Sequence, residues 1–169
     1  MMKKYSNILL LFLWFAPCLL SAQEVKFGHV SPEEIMEQMA GFDTAQKKML
    51  DYQTELQTEG QGMVKEFQQK MEEYQNKSAS YSAAVRKIKE EELMKMQLRI
   101  REFSESMEES LQKKKYELLL PFQNKILEAI KEVAKEEKFT YIFNKAVLAS
   151  YTQGNDITDK VKKKLGIVK

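Results

Sequence analysis

Leu93-Met-Lys-Met96-Gln-Leu-Arg-Ile100-Arg-Glu-Phe103-Ser-Glu-Ser-Met107 is the stretch on which the fold turns. Its residues Leu93, Met96, Ile100, Phe103 and Met107 step by 3, 4, 3 and 4, the spacing of one apolar seam on a helix packed against another helix. Farther on, Leu119, Phe122, Ile126, Ile130 and Val133 continue at 3, 4, 4 and 3. Between Gly62 and Pro121 lie 58 residues with neither glycine nor proline, rich in Glu, Lys, Gln, Leu, Met and Ala, which are strong helix formers. One long helix fits this stretch, with Pro121 expected to kink it by removing a backbone N–H.

Working back toward the N-terminus, a second stripe appears. Ser31-Pro32-Glu33-Glu34 is a helix start: a serine cap, proline at the first helical position, and acids on the positive end of the helix dipole. Ile35, Met39 and Phe42 follow, then Met49, Tyr52 and Leu56, then Met63, Phe67, Met71 and Tyr74. Gly60 and Gly62 interrupt the stripe and predict a bend or hinge. Between the two stripes, Asn76-Lys-Ser-Ala-Ser-Tyr81-Ser82 is a small, polar cluster that reads as a turn. Two helices of about 45 residues, rising ~1.5 Å per residue, form an antiparallel hairpin on the order of 65 Å long. A compact domain of 19.8 kDa cannot contain such a rod, so it must project.

The ends have another character. Val25, Phe27 and His29 alternate with Lys26, Gly28 and Val30, as a short strand with His29 at a packed position. Phe139 to Asn144 and Ala146 to Tyr151 are β-branched and aromatic, and both read as strands. Thr158 is expected to cap a last helix, Asp159 to Leu165, stopped by Gly166. The fold class is therefore α+β and mostly helical. A body of about residues 23–45 and 120–169 carries a helical arm of about 46–119, with its tip at about 76–82. Some 70 residues make a marginal core without disulfides or metal, so oligomerisation is the expected remedy.

At the extreme N-terminus, Lys3 and Lys4 precede thirteen apolar residues from Ile8 to Leu20, and Leu20-Ser21-Ala22 offers a cleavage site. This predicts a signal peptide over residues 1–22, cut between Ala22 and Gln23, with an uncleaved anchor or a lipoprotein signal at Cys18 as alternatives. Without those residues the 27 Lys+Arg fall to 25 and match the 25 Asp+Glu, so the mature chain is neutral. It has no cysteine, which excludes a disulfide framework, a cysteine-based zinc site and a cysteine nucleophile. Neutrality argues against nucleic-acid binding.

These pieces resemble the Skp/OmpH family of periplasmic chaperones. The resemblance is carried by Val25-Lys-Phe-Gly-His-Val30, Leu119-Leu-Pro-Phe122, Ile126 to Ala134, Phe139-Thr-Tyr-Ile-Phe-Asn144 and Asp156-Ile-Thr-Asp-Lys-Val161. It spans the mature chain, 23–169, as a single unit. It implies a periplasmic homotrimer with a strand-built body and three helical arms around a cavity that holds unfolded outer-membrane proteins. It implies no ATP, no cofactor, no metal and no catalytic residue. A structural coiled-coil hairpin that engages one specific partner is the other reading of the same pattern. The type of the family is strongly basic and this chain is not, and no lipopolysaccharide-binding cluster can be matched to it.

Several residues stand out as contact candidates. Tyr74 to Lys89 holds Lys77, Arg86, Lys87 and Lys89 with no acid, and Tyr81 sits in the turn itself. Such a tip could steer acidic clients or make weak contact with an anionic membrane surface, or it could be an ordinary solvated tip. The eight methionines of the mature chain all fall between Met36 and Met107. Met63, Met71, Met96 and Met107 sit at seam spacing, whereas Met94 lies off it and is the better client contact. Leu50, Val64, Leu98 and Leu118 also fall outside the stripes, where exposed apolar groups imply company. His29, alone, is a poor metal ligand, and pairs such as Glu72-Glu73 read as solvated helix faces.

Overall fold

The computed structural model describes residues 25–167; the signal-peptide reading therefore lies outside the described residues. Strand β1 is Phe27–Val30 and helix α1 is Pro32–Glu37. The arm is built by α2, Phe42–Lys77, and α3, Ala83–Glu136. Strand β2, Tyr141–Asn144, two short 3-10 turns and helix α4, Thr158–Lys164, complete the chain.

The helices of the arm run antiparallel. Phe42 meets Phe122 edge to ring, Lys114 lies over Tyr52, Phe103 lies against Gly60, Lys70 bonds Glu92, and Tyr74 bonds Glu90. Each step up α2 is thus matched by a step down α3. The seam of both helices is half-buried at the predicted spacing, with Leu93, Ile126 and Val133 buried. The turn falls where the small polar residues predict it: α2 ends at Lys77, Ser78–Ser80 form a 3-10 turn, and the Ser82 side chain caps α3 by accepting from the Val85 amide.

The two helices are unequal, against the expectation of about 45 residues each. α2 has 36 residues and α3 has 54, or ~54 and ~80 Å at 1.5 Å per residue. The first expected helix is broken because Gly41 adopts φ 89°, a left-handed conformation that glycine reaches without strain. That turn frees α1 to lay Ile35, fully buried, into the body. Helix α2 passes through Gly60 and Gly62 without interruption, and α3 through Pro121. Gly60 does not break the stripe but belongs to it: a Cβ there would lie 3.2 Å from the Phe103 ring.

The body is a two-stranded parallel sheet with three helical elements packed beside it. Phe27 pairs with Tyr141 and Val30 with Asn144, joined by the whole arm as a crossover. Val30, Ile35, Ile126, Ala129, Val133, Ile157 and Val161 form its core, drawn from β1, α1, the last turns of α3 and the C-terminal segment. Two expectations are corrected here, and one is borne out. Ala146 to Tyr151 is not a strand: the Asn144 side chain accepts from the Ala146 amide and turns the chain into a 3-10 turn, Lys145–Val147. In β1, Gly28, His29 and Val30 are all buried, as expected for His29, with a Cβ on Gly28 only 2.9 Å from the Phe139 ring, while Phe27 is exposed. Thr158 is not the cap of α4 but its first residue, and Asp156 accepts from its amide at 2.9 Å. Gly166, at φ 71°, does end that helix.

Candidate interaction surfaces

The charges of the tip are less free than the sequence suggests. Lys77 bonds Glu73 at 2.9 Å, one helical turn back. Lys89 bonds Glu92 at 3.1 Å, and Glu92 also receives Lys70 at 2.8 Å. The Arg86 guanidinium donates to the Ser78 carbonyl and ties the turn to α3. Among the described residues, Lys87 alone of the four makes no such bond. The acid-free window from Tyr74 to Lys89 is real in sequence, but helical neighbours three and four residues away supply the missing carboxylates. The hydrogen bond from Lys70, aided by that from Lys89, holds the Glu92 carboxyl below its usual range; the bond to Lys77 does the same for Glu73. The Tyr74 phenol is pushed up by its hydrogen bond to Glu90.

Tyr81 is half-buried and tilts against Tyr74, with ring centroids 6.4 Å apart, so it closes the end of the seam. Met94 is 70% exposed, and Leu50, Val64, Ile88 and Leu98 are exposed with it. Leu118 is half-buried. The seam methionines Met63, Met71, Met96 and Met107 are half-buried between the helices, as their spacing predicts.

Two surfaces escaped the sequence reading. One is a groove of about 640 Å³ at mid-arm, where Leu56, Met63 and Val64 on α2 face Ile100, Phe103 and Met107 on α3 across Gly60. Its signal was available: Gly60 stands four residues after Leu56 and three before Met63, so the seam lacks a side chain there. The other is the outer face of the sheet. Phe27, Tyr141 and Phe143 stack with centroids 5.8 to 6.5 Å apart and remain 49%, 57% and 42% exposed. Period-two spacing within β1 and β2 places these rings on one face.

Behind that sheet the C-terminal segment is held by charge. The Lys162 ammonium, nearly buried, bonds Glu34 and ties α4 to α1. Asp156 accepts from Lys145 at 2.7 Å. Burial works to raise the Asp156 carboxyl, but the hydrogen bonds from Lys145 and Thr158 prevail and hold it down at about 2. His29 is buried, and its Nε2 lies 2.8 Å from the Thr152 carbonyl. Among the described residues, no helix is long and apolar enough to cross a membrane.

The arrangement is one of surfaces: an arm with apolar side chains along it and a small body with an open aromatic face. A crystal structure from Caulobacter crescentus CB15, described as a candidate outer membrane chaperone of OmpH-like type, has the same fold. The superposition has a TM-score of 0.68 and 11% sequence identity, and covers 83% of each chain. No curated protein sequence matches. The family described as Outer membrane protein (OmpH-like) matches residues 26–165, from the strand before α1 to the end of α4. This chain belongs to the OmpH-like family.

Proposed function

We propose that this protein is an ATP-independent periplasmic holdase, exported through a cleaved signal over residues 1–22, that binds unfolded outer-membrane proteins and keeps them from aggregating. The observation that carries the reading is the distribution of apolar surface. Leu50, Val64, Ile88, Met94 and Leu98 are exposed along an arm too thin to cover them. Many weak, non-directional contacts of this kind hold an unfolded chain without reading its sequence. Family membership supports the same reading.

The working unit is a homotrimer. The Phe27, Tyr141 and Phe143 face of the body is the surface that subunits share, and three arms enclose the client between them. The body spans about residues 23–45 and 120–169, and the arm about 46–119. Weak contact with anionic membrane surfaces falls to Lys87, since Lys77, Arg86 and Lys89 are engaged within the arm. The test is dilution of a urea-unfolded porin with and without the protein, in the absence of ATP. Light scattering is suppressed at a stoichiometry of one client per trimer. Undiminished scattering at a tenfold excess of protein rejects the holdase, and a monomeric mass on sedimentation rejects the trimer.

A further inference from the structure

His29 is the single histidine of the chain, 4% exposed, and its environment is asymmetric. The Nε2 faces a carbonyl oxygen, that of Thr152, at 2.8 Å. A carbonyl only accepts, so Nε2 carries the proton of the neutral ring. Nδ1 is then a buried lone pair, and among the described residues no hydrogen-bond partner reaches it. Among the described residues the nearest charged oxygen is Asp156 Oδ2, 3.9 Å away. The Tyr151 ring leans on the imidazole with centroids 4.7 Å apart.

All of these partners belong to one segment. Residues 145–157 cross the outer edge of β1, where the Ile157 amide donates to the His29 carbonyl at 2.9 Å. Within the segment, Lys145 bonds Asp156 Oδ2 at 2.7 Å and stands 5.0 Å over the Tyr151 ring. Asp156 Oδ1 is taken by the Thr158 amide and hydroxyl. The titratable and charged groups around the ring are therefore Asp156, Lys145 and the Tyr151 phenol, with Glu34 of α1 already engaged by Lys162.

We propose that His29 is a proton-operated latch for residues 145–157: a proton taken from solvent at Nδ1 draws Asp156 Oδ2 off Lys145 and onto the imidazolium. A buried N–H without an acceptor is costly, and more so when charged. The Asp156 carboxylate is the acceptor at hand, about 1 Å beyond bonding distance. Oδ2 is then contested by two cations. Lys145 is the one that yields, because its ammonium is partly open to water and the ring is not. The imidazolium also gains the face of Tyr151. Acid therefore re-seats the segment on β1 and releases Lys145.

NMR of the intact protein tests this, because one histidine gives one imidazole spin system. At pH 8 the ring is the Nε2–H tautomer. As Nδ1 takes up a proton on acidification, the amides of 145–157 and the Lys145 side chain shift with the same midpoint. Asp156→Asn moves the midpoint down by about one pH unit, tenfold in proton affinity. Lys145→Met, which removes the competitor, moves it up. A histidine with a packing role alone would not move in opposite directions in the two variants. The proposal is overturned by an Nδ1–H tautomer at pH 8, by segment amides indifferent to the ring, or by a midpoint unmoved in Lys145→Met. The last arm decides even where Asp156→Asn fails to fold.

Discussion

Arm and body are built from similar residues by opposite rules. In the body, seven apolar side chains from four stretches of chain converge, and Ile35 and Val161 are wholly buried. In the arm, only Ala45 and Leu93 are buried along α2 and its facing stretch of α3, and the rest of the seam is half-covered. A two-helix hairpin has no third neighbour, so each seam residue keeps one flank in water. The difference separates burial from exposure: the body holds the subunit together, and the arm leaves apolar side chains open along its length.

The largest effect comes from striking the body. Ile126→Ala, at a position 2% exposed, is expected to cost about 3 kcal/mol, from lost burial and the cavity left behind. Phe103→Ala, half-buried mid-seam, is expected to cost about 1–2 kcal/mol, since its groove side is already wet. Urea denaturation followed by circular dichroism measures both. Equal costs would mean that arm and body share one core, and the comparison would fail.

Acid probes the body by another route. The Asp156 carboxyl is held down at about 2 from an ordinary value of 3.8. A carboxyl depressed in the folded state contributes stability that is present above its unfolded value and is lost as pH falls through its folded one. About 2 kcal/mol should therefore disappear between pH 4 and pH 2. In Asp156→Asn that part of the pH dependence vanishes while the acid response of the other carboxylates remains. A variant whose stability tracks the parent's across this window would show that the bonds accepted by Asp156 do not fasten the C-terminal segment.

How much of this was legible depended on whether the signal was local. The steps of 3 and 4 from Leu93 to Met107 and the small polar residues from Asn76 to Ser82 specify the hairpin by short-range geometry, and the structure has it. The buried place of His29 was legible too. Its cause was not, because the covering residues Tyr151 and Thr152 arrive from 123 positions away. The packing of Gly28 was hidden for the same reason, because Phe139, which lies against it, arrives from across the arm. Ala146 to Tyr151 has the composition of a strand, but a strand also needs a neighbour, and Asn144 offers the chain a turn first. At the tip, counting charges in a window missed the carboxylates of Glu73 and Glu92 just outside it.

The two glycines of the arm sharpen the comparison within one helix. Alanine has the higher helix propensity by about 1 kcal/mol, so Gly62→Ala, with open space around it, should stabilise the arm by nearly that amount. Gly60→Ala brings a methyl to 3.2 Å from the Phe103 ring and should gain clearly less. Hydrogen exchange of arm amides reads the local effect even where global unfolding is dominated by the body. Identical gains at both sites would mean that Gly60 is merely a weak spot and not a seam position shaped to Phe103.

The smallest expected effect concerns the tip, and it asks whether charge adds anything to apolar capture. Lys87→Glu reverses the one cation of the four with no partner in the arm, whereas Lys77→Glu also breaks its bond to Glu73. If charge steers clients, Lys87→Glu slows capture of an acidic unfolded porin a few-fold at low salt and leaves it unchanged at high salt, because exposed charges are screened beyond ~8–10 Å. Met94→Ser should weaken capture at both salt concentrations, since its contribution is apolar. A salt-independent loss in Lys87→Glu would place Lys87 in direct contact with clients, and the tip would then belong with the arm's binding surface and not with its solvated end.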